Sequence, residues 1–248
     1  MSRWKNIVVL TGAGVSADSG VATFRDPDGV WAKYDYRDVA TPEGFAADPM
    51  LVHSFYNSRR AGLANVEPNP AHYALVALES ALKERDGALT LVTQNVDDLH
   101  ERAGSKAVLK MHGALREARC GPGPDGVSGC GAVHDWREDL SIETVCPACG
   151  LAGAMRPNVV WFGEMPRYME AIADALAYAD LFVSIGTSGS VYPAAGFVHE
   201  ARAFGVPCTE LNLEPSENAA AFSDARYGPA ASIVPAWVES VLGTSGGD

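Results

Sequence analysis

Short, continuous apolar runs bounded by polar turns recur at residues 6–10, 89–93, 107–111, 181–185 and 208–213. Most are rich in Val, Ile or Leu without alternation, as expected of parallel strands buried on both faces. Helix-like stretches at 71–84, 168–178 and 194–204 separate several of them. This alternation predicts an α/β fold, a doubly wound parallel Rossmann-like sheet. The strands end at polar or Gly-rich turns: Thr11-Gly12, Thr93-Gln94-Asn95, His112-Gly113, Gly186-Thr187-Ser188 and Asn212. Ligands of open α/β sheets sit at such carboxyl ends. Two segments break the alternation. Residues 34–69 are turn- and helix-like and punctuated by Pro42, Pro49 and Pro68, and residues 116–153 are rich in Gly, Pro and Cys. Both are expected to be insertions into a single domain spanning 1–248, together forming a smaller lobe.

The turn after the first run, Thr11-Gly12-Ala13-Gly14-Val15-Ser16-Ala17, has glycines where a backbone would approach a phosphate at a helix N-terminus. The third glycine of a dinucleotide fingerprint is missing, with Ala17 in its place. Ser19-Gly20 and the Arg25-to-Gly29 stretch break the expected crossover helix within about two turns. A phosphate cradle is therefore expected, but an ordinary dehydrogenase is disfavoured.

A chain of 248 residues with 47% hydrophobic residues can build a substantial core. The net charge of −12 argues against nucleic acid and anionic membranes as partners, and leaves long-range attraction of basic peptides open. No run approaches the roughly 18–20 apolar residues of a membrane helix. The basic start, Met1 to Lys5, is followed by only a short apolar stretch, so a cytoplasmic protein is expected. A monomer is also expected.

Four of the five cysteines fall in one short region, which in a cytosolic protein suggests metal before disulfides. Cys120, Cys130, Cys146 and Cys149 have the content of a closed, structural zinc site. Cys146-Pro147-Ala148-Cys149 is a good knuckle, whereas nine residues separate the first pair. The longer loop adds roughly 1.3 kcal/mol of closure cost, small beside the roughly 10–16 kcal/mol of structural zinc binding. Cys208, in a core strand, is expected to be a packed thiol.

His112 stands where a sheet crevice would want a general base. A lone histidine at a strand end is more often structural, and only its placement beside Gln94-Asn95-Val96-Asp97 shifts the balance. Here the chain resembles the sirtuins, NAD-dependent protein-lysine deacylases. The resemblance rests on Gly12-Ala13-Gly14-Val15-Ser16 with Ser19-Gly20 and Phe24-Arg25, then Thr93-Gln94-Asn95-Val96-Asp97 and His112-Gly113. It continues through the four cysteines, Val159-Val160-Trp161-Phe162-Gly163-Glu164, Gly186-Thr187-Ser188 and Asn212, and runs from about residue 6 to 239.

The resemblance implies that NAD is consumed as co-substrate, with nicotinamide and O-acyl-ADP-ribose as products. It implies His112 as general base, Asn95 and Asp97 lining the nicotinamide pocket, and Gln94 on the ribose. Gly12, Ala13, Gly14, Ser16, Ala17, Trp31, Val96, Gly186, Thr187, Ser188, Asn212, Leu213, Glu214 and Ala230 would complete the NAD site. Phe24 and Arg25 would lie on a loop shielding the reactive intermediate from water. Val160, Phe162, Gly163 and Glu164 would pair with the substrate backbone as an added strand. Asp26, where glycine is common, and the wide first cysteine pair depart from the family pattern.

Within the helical insertion, Tyr56 and Arg59 stand at i, i+3 and share a helix face. A phenol and a guanidinium together can hold a carboxylate. The pair resembles the class III sirtuins, in which it recognises succinyl- and malonyl-lysine, and Ala40 matches the small residue that admits the longer acyl chain. The expected activity is removal of succinyl, malonyl and acetyl groups from lysines of peptides and proteins. Mono-ADP-ribosyl transfer and a non-catalytic NAD or ADP-ribose sensor are the alternatives.

Overall fold

Six parallel strands carry the larger layer: β1 (Asn6–Thr11), β2 (Ala88–Thr93), β3 (Val108–Lys110), β7 (Leu181–Ile185), β8 (Cys208–Asn212) and β9 (Asp224–Tyr227). Their spatial order is β3-β2-β1-β7-β8-β9. A second, antiparallel sheet has β4 (Gly113–Cys120) between β5 (Val133–Asp135) and β6 (Met155–Val159). The structure, a computed structural model, describes residues 4–23, 29–124, 126 and 128–243. Phe24 and Arg25 lie outside the described residues. Among the described residues, no helix is long and apolar enough to cross a membrane.

The helices are α1 (Gly14–Ala17), α2 (Val30–Lys33), α3 (Tyr36–Val39), α4 (Pro42–Ala47), α5 (Pro49–Gly62), α6 (Pro70–Lys83), α7 (Leu99–Ala103), α8 (Met169–Ala177), α9 (Phe197–Ala203) and α10 (Ala230–Leu242). Alternation along β1 divides the core between the two faces of the sheet. Ile7 and Val9 pack with Leu75, Leu78 and Leu82 of α6 and Val234, Trp237 and Val238 of α10. Val8 and Leu10 pack with Ile172 and Leu176 of α8 and Phe197 and Val198 of α9. The start of α6 is fixed by a capping box: the Asn69 side chain accepts from Ala71 N, His72 Nδ1 accepts from Asn69 N at 3.2 Å, and Pro70 opens the helix.

The doubly wound sheet is present, with differences at its margins. The stretch 194–204 divides into a 3₁₀ turn, Ala194–Gly196, and α9. The edge strand β9 reads Asp-Ala-Arg-Tyr and is largely exposed, so it lacks the apolar run of an inner strand. Helix α10 contains Pro235, which interrupts its pattern, yet it buries Val234, Trp237, Val238 and Val241. The smaller lobe exceeds the expected 116–153, because β4 begins at Gly113 and β6 lies beyond that range. Helices α3, α4 and α5 form its helical part, with their own core around Val39, Phe45, Val52, Phe55 and Leu63.

The chain reverses its course across the sheet between β1 and β7, and there the two strand ends meet backbone to backbone. Gly12 N donates to Ile185 O and Gly14 N to Gly186 O, both at 2.9 Å. A Cβ on Gly14 would stand 2.7 Å from Gly186 Cα, and one on Gly186 would stand 2.5 Å from Val15 N. Gly186 also has φ +62°, a left-handed conformation. The glycines therefore serve contact between two turns of the chain, besides any approach to a ligand.

Gly186→Ala should lower unfolding stability by about 2–3 kcal/mol in urea titration. Gly62→Ala, at a helical site with nothing within 4 Å, should be neutral or raise it by about 0.5–1 kcal/mol.

Candidate active site

The ends of β1 and β2 open onto a buried polar network. Ser16 Oγ donates to Asp97 Oδ2 at 3.1 Å and accepts from Asn95 Nδ2 at 3.2 Å. His72 Nδ1 accepts from Asn69 N, which leaves the ring proton on Nε2, 3.5 Å from the same Ser16 oxygen. Asp97 Oδ1 accepts from Leu99 N at 3.1 Å. Thr11 Oγ1 donates to Thr93 Oγ1 at 2.8 Å, and Thr93 Oγ1 also accepts from Asn95 N at 3.0 Å. His100 Nε2 lies 3.0 Å from Thr11 Oγ1, and its ring stands 4.9 Å from that of His72. Ser16, His72, Thr93, Asn95, Asp97 and His100 are all buried.

Burial sets the charges here. It pushes the Asp97 carboxyl up to about 6, against the opposing hydrogen bonds from Leu99 and Ser16. Burial lowers His72 to about 4 and His100 to about 3, so both rings are neutral at neutral pH.

His112 sits between β3 and β4, half-buried. Its Nδ1 lies 3.1 Å from the Gln94 carbonyl, which can only accept. The proton is therefore on Nδ1, and Nε2 carries the lone pair. Burial lowers the His112 pKa, against the bond to Gln94. The ring is thus a neutral, oriented base.

The remaining nucleotide-site residues spread along the carboxyl edge. Thr187 Oγ1 is 2.8 Å from Ser184 Oγ, Ser188 Oγ is 2.7 Å from Ser190 Oγ, and Asn212 Nδ2 donates to Thr187 O at 2.9 Å. Leu213 and Glu214 are exposed, while Ala230 is buried at the start of α10. Ala17, in place of the third glycine, faces solvent at the end of a one-turn helix, while neighbouring Asp18 caps α10 through Ala231 N at 2.9 Å. Trp31 stacks on Phe55 with centroids 6.3 Å apart and lies 6.3 Å from Phe162. Val96 packs into the core of the helical lobe, and Leu115 N donates to its carbonyl at 2.7 Å.

Helix α5 brings Tyr56 and Arg59 to one side. Tyr56 is buried, its hydroxyl accepting from Trp161 Nε1 at 3.0 Å. Arg59 lies over the Phe55 ring at 5.5 Å, and burial lowers its pKa while Tyr56 and Asp97 raise it. Arg59 is thus within electrostatic reach of the polar network. Ala40 is buried, and its carbonyl accepts from Phe162 N at 2.9 Å.

In the chain by itself, the segment expected to pair with a substrate backbone is a turn after β6. Val160 N donates to His112 O at 2.8 Å, Trp161 N to Glu164 Oε2 at 2.8 Å, and Glu164 N to Trp161 O at 3.0 Å. Glu164 is committed to the chain itself, since its carboxylate also pairs with Arg156 at 2.6 and 3.0 Å. These amides are used internally, so a peptide backbone would be met by Gly163 and by carbonyl groups.

Cys120, Cys130, Cys146 and Cys149 place their sulfurs within 4.8 Å of one another. Two pairs, Cys120–Cys149 and Cys130–Cys146, are 3.8 Å apart, which matches the edge of about 3.8 Å in a tetrahedron with Zn–S of about 2.3 Å. The nine-residue loop is pinched at its neck: Gly129 N donates to Gly121 O at 3.0 Å, and Gly131 N to Cys120 O at 2.8 Å. The residues fit a structural zinc. Cys208 is a buried thiol that donates to Val206 O at 3.3 Å.

Several residues are joined to the site in ways that no motif specifies. Asn69, His72 and His100 arrive at the start of α6 and on α7, Trp161 reaches Tyr56 from the turn after β6, and His134 Nε2 lies 3.8 Å from Cys146 Sγ. Only the polar pair Asn69 and His72, three apart at a helix start, left a readable signal, that of a capping box.

The sequence model of the Sir2 family matches residues 12–193. An "NAD-dependent protein deacylase" of Caulobacter vibrioides is 59% identical over 236 residues, 95% of this chain and 96% of that protein. A solved Sir2 homolog–NAD complex superposes with TM-score 0.84 at 35% identity, covering 98% of this chain and 91% of the other. A mutant Sir2 homologue in complex with 2'-O-acetyl ADP ribose gives TM-score 0.85 at 34% identity over 98% and 94% of the two chains.

Denaturation in the presence of a metallochromic dye should release about one zinc ion per chain. Cys149→Ser should abolish that release and lower Tm by roughly 10 °C. A second outcome concerns charge. Raised from 3.8 to about 6, Asp97 binds its proton more tightly in the folded chain than in the unfolded one. Its contribution is therefore fully present below about pH 4 and is lost as pH rises through about 6. Asp97→Asn should thus gain about 2–3 kcal/mol relative to wild type between pH 4 and 7 in chemical denaturation.

Proposed function

The chain belongs to the Sir2 family, and from that premise we propose that it is an NAD-dependent protein-lysine deacylase removing succinyl and malonyl groups as well as acetyl. NAD supplies the ribose whose bond to nicotinamide breaks and onto which the acyl group passes. The donor set suits a dinucleotide. Gly12 and Gly14 keep the first turn bare of side chains, and Thr187 and Ser188 offer hydroxyls at the facing strand end. Ala13, Ser16 and Ala17 belong to the same first turn. Asn212, Leu213, Glu214 and Ala230 would meet the adenosine end. Asn95 and Asp97 would face the nicotinamide, Gln94 its ribose, and Trp31 would close the mouth near Phe162.

The observation that carries the reaction class is His112. Its Nδ1 is anchored on Gln94, its Nε2 lone pair is available, and burial keeps the ring neutral. That nitrogen can take a proton from a ribose hydroxyl, the task of a general base. A neutral base oriented in this way favours a catalyst over a nucleotide sensor. The four thiolates would hold zinc with no open position, so the metal holds the smaller lobe together and takes no part in the chemistry.

The acyl preference is supported by Tyr56 and Arg59. Burial holds the Tyr56 phenol up at about 12, so it stays a donor, and Arg59 brings a permanent positive charge beside it. A protein of net charge −12 needs such a local positive site to accept an anionic acyl group. Its overall charge suits lysine-bearing peptide partners.

Arg59→Met should cut desuccinylation 10–100-fold while deacetylation changes less than about three-fold, measured as kcat/KM on matched peptides. Equal loss of both would remove the acyl assignment.

A further inference from the structure

We propose that Trp161 is a positioning residue for the acyl pocket: its indole N–H occupies one side of the Tyr56 hydroxyl and so directs the hydroxyl proton toward a bound acyl carboxylate. This rests on the acyl reading above. A phenol hydroxyl lies close to the plane of its ring and has two in-plane directions, one for its proton and one for an incoming donor. The Trp161 Nε1–H, at 3.0 Å, takes the acceptor side. An indole N–H can only donate, so it fixes the role of Tyr56 as well as its place. The phenol proton must then point to the other side, away from the indole. Without Trp161 the hydroxyl could turn its lone pair to the ligand, and a carboxylate would meet an oxygen instead of a proton.

The indole is held on every side that matters. Arg156 lies over the Trp161 ring with its Cζ 3.3 Å from the centroid. Glu164 holds both parts of that clamp, accepting from Arg156 and from Trp161 N. The Phe45 ring stands 5.2 Å from Trp161 on the helical side. Trp161 is 2% exposed and Tyr56 4%, so water does not compete for the bond between them. Glu164 and Arg156 thus act on the acyl pocket through Trp161, without touching the ligand.

Trp161→Phe keeps an aromatic ring beside Arg156 and removes the N–H together with the five-membered ring that carries it. With NAD and matched peptides, KM for the succinyl peptide should rise about five- to ten-fold with kcat unchanged, and KM for the acetyl peptide should stay within two-fold. In a Tyr56→Phe background the same substitution should change neither. If wild type removes no succinyl group at all, the acyl reading fails and this inference with it. If wild type desuccinylates but Trp161→Phe weakens both peptides equally, or adds its full effect to Tyr56→Phe, the role of Trp161 alone is overturned. Should Trp161→Phe not fold, the Trp161 indole N–H resonance in the otherwise intact protein carries the test. It should move on binding succinyl peptide and hold on binding acetyl peptide; equal movement with both overturns the role.

Discussion

The backbone contact between the turn after β1 and the turn after β7 sets the geometry on which everything else rests. Gly12 and Gly14 donate across to Ile185 and Gly186, with no room for a side chain on either side. Because this is the point where the strand order reverses, the contact also defines the crevice in which an open α/β sheet binds its ligand. From it, one turn of helix delivers Ser16 beneath Asn95 and Asp97, and the adjacent strand end delivers Thr187 and Ser188 opposite. A missing third glycine costs nothing here, since Ala17 faces solvent at the end of a one-turn helix.

Below that crevice the chain buries a set of polar groups that satisfy one another. Ser16 accepts two bonds and donates one, which suits an alcohol inside a low-dielectric core. The histidines stay neutral, so Asp97, raised to about 6, is the one group of this network that changes charge near neutral pH. The positive charge is placed elsewhere, on Arg59 from the helical lobe. On the proposed function the two tasks would be separate: the sheet ends would handle nucleotide and proton, and the smaller lobe would choose the acyl group.

The inner strands were legible because burial on both faces demands continuous Val, Ile and Leu, as in Ile7 to Leu10 and Leu181 to Ile185. The edge strand β9 escaped because an edge needs no such run, and α10 escaped because Pro235 interrupts its pattern without ending it. Cysteine content revealed the four-thiol cluster, since four thiols in one stretch have few other uses, while His134 beside it left no signal. His112, Asn95 and Asp97 were legible from their strand ends. The parts that Asn69, His72, His100 and Trp161 play at the site were not, because they depend on which helix or turn the fold sets against it. Glu164 has a use that its motif did not reveal: the chain holds Arg156 and Trp161 with it.

The most direct test of a sheet that cuts NAD and a lobe that selects an anionic acyl group uses the unaltered protein. It should be incubated with NAD and peptides of one sequence bearing succinyl-, malonyl- or acetyl-lysine, with the products weighed by mass spectrometry. Free lysine peptide, nicotinamide and an O-acyl-ADP-ribose of matching mass should form together from all three, with nicotinamide release dependent on acyl peptide. ADP-ribose attached to the peptide, or NAD bound and left whole, would contradict the account.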